Sequence, residues 1–272
     1  MKNYKISIVT VTFNCKETIE ETINSVLSQT YGNIEYIIVD GHSKDGTIDI
    51  LKKYENRVTT LIVEKDNGIF DAMNKSLNYV SGDYVIFMNS GDKFVNCNVV
   101  SKCFQNVDSE EDIVYGDVYI QTNLGFQFYK ATPIYLKKCS KRDLVFKSQG
   151  MCHQCIFTKS DVLKEVKFDL KCPIGADYGA TYNVFIKGNH LLRYVGIPVA
   201  AFDDRKGGVS HTGHFDKKLY DERCYMFSYK YSIGDKILLY FIGLKENVKF
   251  CFFREFPKFC NLLRKYKYNK NI

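Results

Sequence analysis

A chain of 272 residues with 45% hydrophobic content can bury one large core or two fused ones, which excludes an intrinsically disordered protein. Its net charge of +7 is unevenly placed, because residues 216–272 hold thirteen Lys and Arg against six Asp and Glu and so carry the whole excess. No apolar run approaches the ~18 residues of a membrane-spanning helix; the longest candidate runs from Ile237 to Leu244. The opening MKNYKISIVTVTF interrupts its apolar residues with polar ones and is followed by no small-residue cleavage site, so no signal peptide is expected and the chain is placed in the cytosol. Its ten cysteines then read as reduced, small hydrophobes. Cys152, His153 and Cys155 form the one tight cluster, but a zinc site needs a second ligand pair at a recognisable spacing, and the sequence offers none.

Lys5 to Phe13 is a β-rich run, and Asn14 followed by Glu17 has the pattern of a helix N-cap with its reciprocal partner. Ile19, Ile23, Val26 and Leu27 recur at helical spacing until Tyr31, Gly32 and Asn33 break the pattern. Ile34 to Val39 reads as a second buried strand. A turn at Asp45 and Gly46 leads into a helix over Thr47 to Tyr54, Thr59 to Val63 is a third strand, Ile69 to Val80 a helix, and Tyr84 to Met88 a fourth strand. Strands that are apolar on both faces, alternating with amphipathic helices, predict an α/β fold: a mostly parallel sheet covered on two sides. From Glu110 the pattern loosens into strands over Ile113 to Ile120 and Phe126 to Tyr129, a short one at Cys155 to Phe157, and a helix over Ala176 to Ile186. No internal repeat or low-complexity linker divides the chain.

In an open α/β sheet, ligands lie beyond the carboxyl ends of the strands, so the residues that follow each strand are the candidates for chemistry. Here these are Thr12 and Asn14, then Asp40, then Asp66, then Asn89, Ser90, Gly91 and Asp92. The turn after the first strand has no glycine, which argues against a dinucleotide fingerprint, and no GxxxxGK followed by Ser or Thr occurs anywhere. Without an amide cradle, a bound pyrophosphate needs another source of positive charge, and Mg²⁺ or Mn²⁺ on Asp92 would supply it. Asp177, in a Gly-Ala-Asp-Tyr segment, stands at the start of a predicted helix, where an aspartate is most often an N-cap. His153 and Gln154 interrupt an apolar stretch, as a structural pair or a functional one. The aromatic, basic tail matches a surface that meets anionic headgroups, although aromatics at helical spacing are also what a core contains. No nucleic-acid-binding signature accompanies it.

Five segments stand in register: ISIVTVTFN at 6–14, SVLSQ at 25–29, VDGHSKDGT at 39–47, EKDNGIFDAMNK at 64–75 and SGDYVIFMNSGD at 81–92. In that order they resemble glycosyltransferase family 2, of the GT-A fold, in particular its members that build bacterial capsule, exopolysaccharide and O-antigen chains, and the similarity runs over most of residues 5–212. The resemblance implies an inverting transfer of a sugar from a nucleotide diphosphate, UDP foremost, to a saccharide acceptor that is commonly linked to a polyprenyl diphosphate. It implies that Asp40 accepts from the uracil ring, that Thr12 and Asn14 line base and ribose, and that Asp66 meets the nucleoside side. Asn89, Ser90 and Gly91 would adjoin the donor, and Asp92 would hold the metal as the last carboxylate of an Asp-x-Asp motif. Asn89 and Gly91 stand where that motif most often has aspartates. Asp177 would be the base, and His153 and Gln154 would lie near the acceptor. The Gly207 to Ser210 segment and the loop histidines His211 and His214 are further candidates near phosphate or metal.

The expected organisation is a nucleotide-sugar-binding half at 1–100, an acceptor-binding half at 101–215 and a basic, aromatic helical region at 216–272 that touches the inner face of the plasma membrane. Two alternatives compete. A sugar nucleotidyltransferase uses a similar sheet but carries a glycine-rich basic loop after its first strand. A catalytically inactive, nucleotide-sugar-binding subunit of an assembly complex would account for the thinned metal motif.

Overall fold

The computed structural model describes residues 3–107, 111–123, 125–131, 139–146, 152–188, 190–205 and 216–255, with the backbone alone described at 186–187 and 246–255. Residues 207–214, with the expected phosphate and loop-histidine candidates, lie outside the described residues.

Strand β1 (Ile6–Thr12) is buried along its whole length and lies between β2 (Ile34–Asp40) and β4 (Tyr84–Phe87), parallel to both, with β3 (Thr60–Val63) beyond β2. Alternate residues of a strand face opposite sides, and the two sides bury different partners. Ile6 and Ile8 join the core that holds Ile19, Ile23 and Val26 of helix α1 (Ile19–Leu27). Val9 and Val11 join a second core, with Phe70, Ala72 and Met73 of α3 (Ile69–Ser76). This explains the near-continuous apolar runs, since a strand covered on both faces has no polar side to show. Helix α2 (Thr47–Lys53) follows β2.

The sheet continues without a break into the rest of the chain. Its order is β3-β2-β1-β4-β8-β6-β9-β5, with β7 on β6. β8 (Ile156–Lys159) runs antiparallel to β4 and to β6 (Ile113–Thr122), while β9 (Leu192–Asp203) runs parallel to β6. β5 (Lys93–Phe94) pairs antiparallel with β9, and β7 (Gly125–Tyr129) antiparallel with β6. Helix α4 (Val99–Phe104) covers the first core. α5 (Lys141–Phe146), α6 (Ser160–Val166) and α7 (Ala176–Tyr182) follow, and the chain closes with α8 (Lys217–Met226) and α9 (Ile233–Glu255).

Several expectations are corrected. Asn14 does not cap α1: the helix starts at Ile19 after Thr18, while Asn14 has a left-handed φ of 51° and binds the neighbouring turn. α3 stops at Ser76, short of Val80. α7 gives way after Tyr182 to a π turn over Asn183–Lys187. β9 was not expected, because Gly196 and Pro198 interrupt its apolar run and a proline cannot donate to a ladder. The strand accommodates them with Gly196 at φ 68° and a register shift where Pro198 faces Asp117 of β6.

Candidate active site

The chain moves outward from β1 to β2 and β3, then returns to place β4 on the other side of β1. The strand order thus reverses between β1 and β4, the place in such sheets where loops diverge and leave a crevice. A cleft of about 490 Å³ opens there. The end of β1 lines it with Thr12, the loop after β4 with Asn89 to Asp92, and the segment before α3 with Asp66. From the second half come His153, Gln154, Asp177 and Asp203. Nine sequence candidates therefore share one cavity: Thr12, Asp66, Asn89, Ser90, Gly91, Asp92, His153, Gln154 and Asp177.

The loop after β4 is held from below. Thr22 of α1, fully buried, donates from Oγ1 to the Asp92 carbonyl (2.7 Å) and accepts the Gly91 N–H (2.9 Å). Gly91 has φ 101°, a left-handed conformation open to glycine at little cost. The Asp92 side chain is buried and accepts from the Asp203 N–H at 3.0 Å and from Gln154 Nε2 at 2.9 Å. Burial outweighs these two donors and pushes its carboxyl up to about 6. Asp203, at the end of β9, is clasped by Arg205, whose Nε and Nη2 lie 2.8 and 2.9 Å from its two oxygens. Burial opposes ionisation there too, but the guanidinium holds this carboxyl below the usual range.

Asp177 lies in the first turn of α7, whose entry is fixed from the tail: the amides of Ile174 and Gly175 donate to the Glu222 carboxylate of α8. His153 stands between Asp177 and the β4 loop, with Nδ1 3.2 Å from Asp177 Oδ2 and Nε2 3.2 Å from Asn89 Nδ2. Asp66 turns back to accept the Gly68 N–H at 2.9 Å, and its carboxylate occupies the space a Cβ on Gly41 would take, so a larger residue there would displace the Asp66 side chain.

Asn14 and Asp40 do not line this cleft. Asp40 is fully buried and its two oxygens accept from the N–H and the Oγ of Ser43, at 2.8 and 2.6 Å. Asn14 is exposed, donates its N–H to Ser43 Oγ and accepts from the Lys44 N–H, both at 2.8 Å. Sequence reasoning missed Asp203, Arg205, Thr22 and Glu222. An acidic residue closing an apolar run is the available signal for Asp203, and Gly196 and Pro198 hide it by interrupting β9. Nothing local marks Thr22 or Glu222.

Among the described residues, Thr12 Oγ1, Asn89 Oδ1 and Ser90 Oγ are buried with no hydrogen-bond partner, and all three residues line the cleft. Unmet polar atoms cost stability unless a ligand or water takes them, so this wall is built for something polar. Of these atoms the Asn89 amide oxygen is of the type a hard cation takes, and the neighbouring Asp92 carboxylate adds charge, while no cluster of three or more His, Cys, Asp and Glu suited to a metal occurs among the described residues. A cation held here would complete its shell from phosphate and water, as Mg²⁺ commonly does.

The family model described as Glycosyl transferase family 2 matches residues 7–167. The chain belongs to that family. A PGL/p-HBAD biosynthesis glycosyltransferase of Mycobacterium bovis is 27% identical over 212 residues, covering 76% of this chain and 79% of that one. The Escherichia coli protein WfaP, a UDP-Glc:alpha-D-GlcNAc-diphosphoundecaprenol beta-1,3-glucosyltransferase, is 35% identical over 119 residues, covering 43% of this chain and 47% of its own. Among solved structures, residues 1–349 of S. aureus TarS in complex with UDP-GlcNAc superpose with a TM-score of 0.61 at 18% identity, over 93% of this chain and 75% of that one. The mannosyltransferase PcManGT of Pyrobaculum calidifontis, in complex with GDP-Man and Mn2+, gives 0.53 at 17% identity, over 73% and 56%. The protein is thus a glycosyltransferase with the α/β architecture of its family.

Proposed function

We propose that this glycosyltransferase works with inversion, moving a sugar from a nucleoside diphosphate, UDP foremost, onto a saccharide acceptor during synthesis of a cell-surface polysaccharide. The observation that carries the reading is that Asp92 and Asp177, far apart in sequence, line one cleft whose wall holds unmet polar atoms. The UDP-GlcNAc complex of the TarS fragment supports the donor class. The printed activity of WfaP supports an acceptor carried on a lipid diphosphate.

In this reading Thr12 and Asp66 flank the nucleoside, while Asp40, fully buried outside the cleft, acts from behind by holding the Ser43 turn. Asn89, Ser90 and Gly91 face the diphosphate, with Asp92 and the Asn89 amide oxygen as protein ligands to Mg²⁺ or Mn²⁺. A bound cation would offset charge building on the leaving diphosphate. Asp177 takes the proton of the acceptor hydroxyl as that oxygen attacks the anomeric carbon from the face opposite the nucleotide, so the configuration inverts in one displacement. His153 and Gln154 close the acceptor end. Asp177→Asn is expected to cut transfer by about 10²–10⁴-fold while UDP-sugar with Mn²⁺ still protects the protein against thermal unfolding. Transfer near the wild-type rate would remove Asp177 as the base.

The acceptor's lipid would bring the enzyme to the inner face of the plasma membrane. Helix α9 buries Leu239 and Asp235 on one side, while Ile233, Ile237, Tyr240, Phe241 and Leu244 stand exposed at spacings that put them on one opposite face. No described helix is long and apolar enough to cross a membrane, so α9 would lie in the plane of the surface, drawn by the positive charge of residues 216–272. The protein should float with vesicles rich in anionic lipid and less with zwitterionic ones. A double Ile237→Glu and Phe241→Glu variant that floats equally well would remove α9 as the contact.

A further inference from the structure

His153 touches two groups from different parts of the site, and their chemistry fixes the ring between them. The group 3.2 Å from Nε2 is the Asn89 amide nitrogen, which can only donate. With the Asn89 amide donating, Nε2 is the accepting nitrogen of this contact. Nδ1 then carries the hydrogen and donates to Asp177 Oδ2, also at 3.2 Å. The next residue in the same short turn, Gln154, donates to Asp92. The turn itself is closed by the Cys155 N–H on the Cys152 carbonyl at 3.0 Å.

The consequences reach both substrates. With its nitrogen tied to the ring, Asn89 has its oxygen left over, and that oxygen is the buried atom without a partner among the described residues. With Oδ2 of Asp177 tied, Oδ1 is the oxygen left to receive a proton. We propose that His153 is a positioning residue for the transfer, bridging Asn89 through Nε2 and Asp177 through Nδ1. It turns the Asn89 amide so that oxygen faces the donor, and it aims Asp177 at the acceptor hydroxyl. The inference rests on the reading of Asp177 as the base.

Two isosteres separate the two jobs. Asparagine at 153 places an amide N–H near the position of Nδ1 and can serve Asp177, but it is too short to reach Asn89. Glutamine places an amide oxygen near the position of Nε2 and can serve Asn89, but leaves Asp177 without its donor. His153→Gln is expected to lower kcat by about 10- to 100-fold, the scale on which a misplaced catalytic group costs rate, with donor KM little changed. His153→Asn is expected to raise donor KM by about tenfold, roughly the worth of one hydrogen bond, with a smaller loss of kcat. His153→Ala should do both. Equal losses in all three variants, or an alanine variant within about twofold of wild type, would overturn the proposal. A second readout needs no variant to be active. In ¹⁵N-histidine-labelled wild-type protein, the ring that disappears from the spectrum in His153→Ala is expected to show a protonated Nδ1 and a bare Nε2. The opposite tautomer would overturn the proposal even if Asp177→Asn behaves as a lost base. If Asp177→Asn remains active, the base reading fails by itself, and the ring spectrum together with the donor KM of His153→Asn still decides the Asn89 arm.

Discussion

Two buried carboxylates stand at opposite ends of the same parallel strands, and they differ in one respect. Glu35, the second residue of β2, lies at the amino end, and Asp92 lies just past the carboxyl end of β4. Both are nearly excluded from solvent. Glu35 accepts from Lys5 Nζ at 2.8 Å, Ser7 Oγ at 2.5 Å, and the N–H and Oγ of Ser81 at 2.9 and 2.5 Å. Burial pushes against it, but these donors prevail and hold its carboxyl down to about 2. Among the described residues Asp92 has two donors and no paired cation, so burial prevails and its carboxyl rises to about 6. Burial alone therefore decides nothing; the supply of donors sets the sign. One end of the sheet is electrostatically complete and holds the fold, while the other is left wanting charge and hydrogen bonds.

The strongest way to break this contrast is at the complete end. Glu35→Ala leaves the Ser7 hydroxyl and the Ser81 amide without their acceptor, and should lower the free energy of unfolding by about 2–4 kcal/mol in a urea titration. A loss under ~0.5 kcal/mol, the size of an ordinary surface change, would deny Glu35 its role. The incomplete end should respond oppositely. Asp92→Asn removes a charge whose burial is uncompensated, so the ligand-free variant should be more stable than wild type above neutral pH, by on the order of 2 kcal/mol, although it loses transfer. An unchanged or lowered melting temperature would break the comparison.

Acid sharpens it further. Glu35 is depressed, so its contribution is complete above the ordinary value of 4.5 and is lost as pH falls toward about 2. Asp92 is raised, so its destabilisation is absent below 3.8 and grows until pH passes about 6. Ligand-free wild type should therefore gain stability on going from pH 7 to about 5, and the Asp92→Asn variant should lack that part of the gain. This is the smallest of the effects and is best read as a difference between paired melting curves.

The first half of the fold was legible because its information is local. Ile6 to Thr12 and Ile34 to Asp40 are buried on both faces, and that leaves an unbroken apolar signature. The polar residues past each strand end then marked most of the cleft wall. Asp40 and Asn14 follow the same rule, yet they bond the Ser43–Lys44 turn instead of lining the cleft, a choice between neighbours that spacing does not encode. β9 was hidden by Gly196 and Pro198, and with it went Asp203 and Arg205. The partners of His153 were illegible for another reason: Asn89 lies 64 residues before it and Asp177 24 after, and only the folded sheet brings them together.

The hydrogen-bonded grip of Glu222 on the entry to α7 ties two functions that the linear order keeps apart. Helix α8, which leads into the helix that would rest on a lipid surface, also sets the angle from which the proposed base enters the cleft. Deleting everything after residue 215 would therefore not yield a freely diffusing catalyst shorn of its anchor. It would release the very helix that carries Asp177, and docking at the bilayer and chemistry would be lost together.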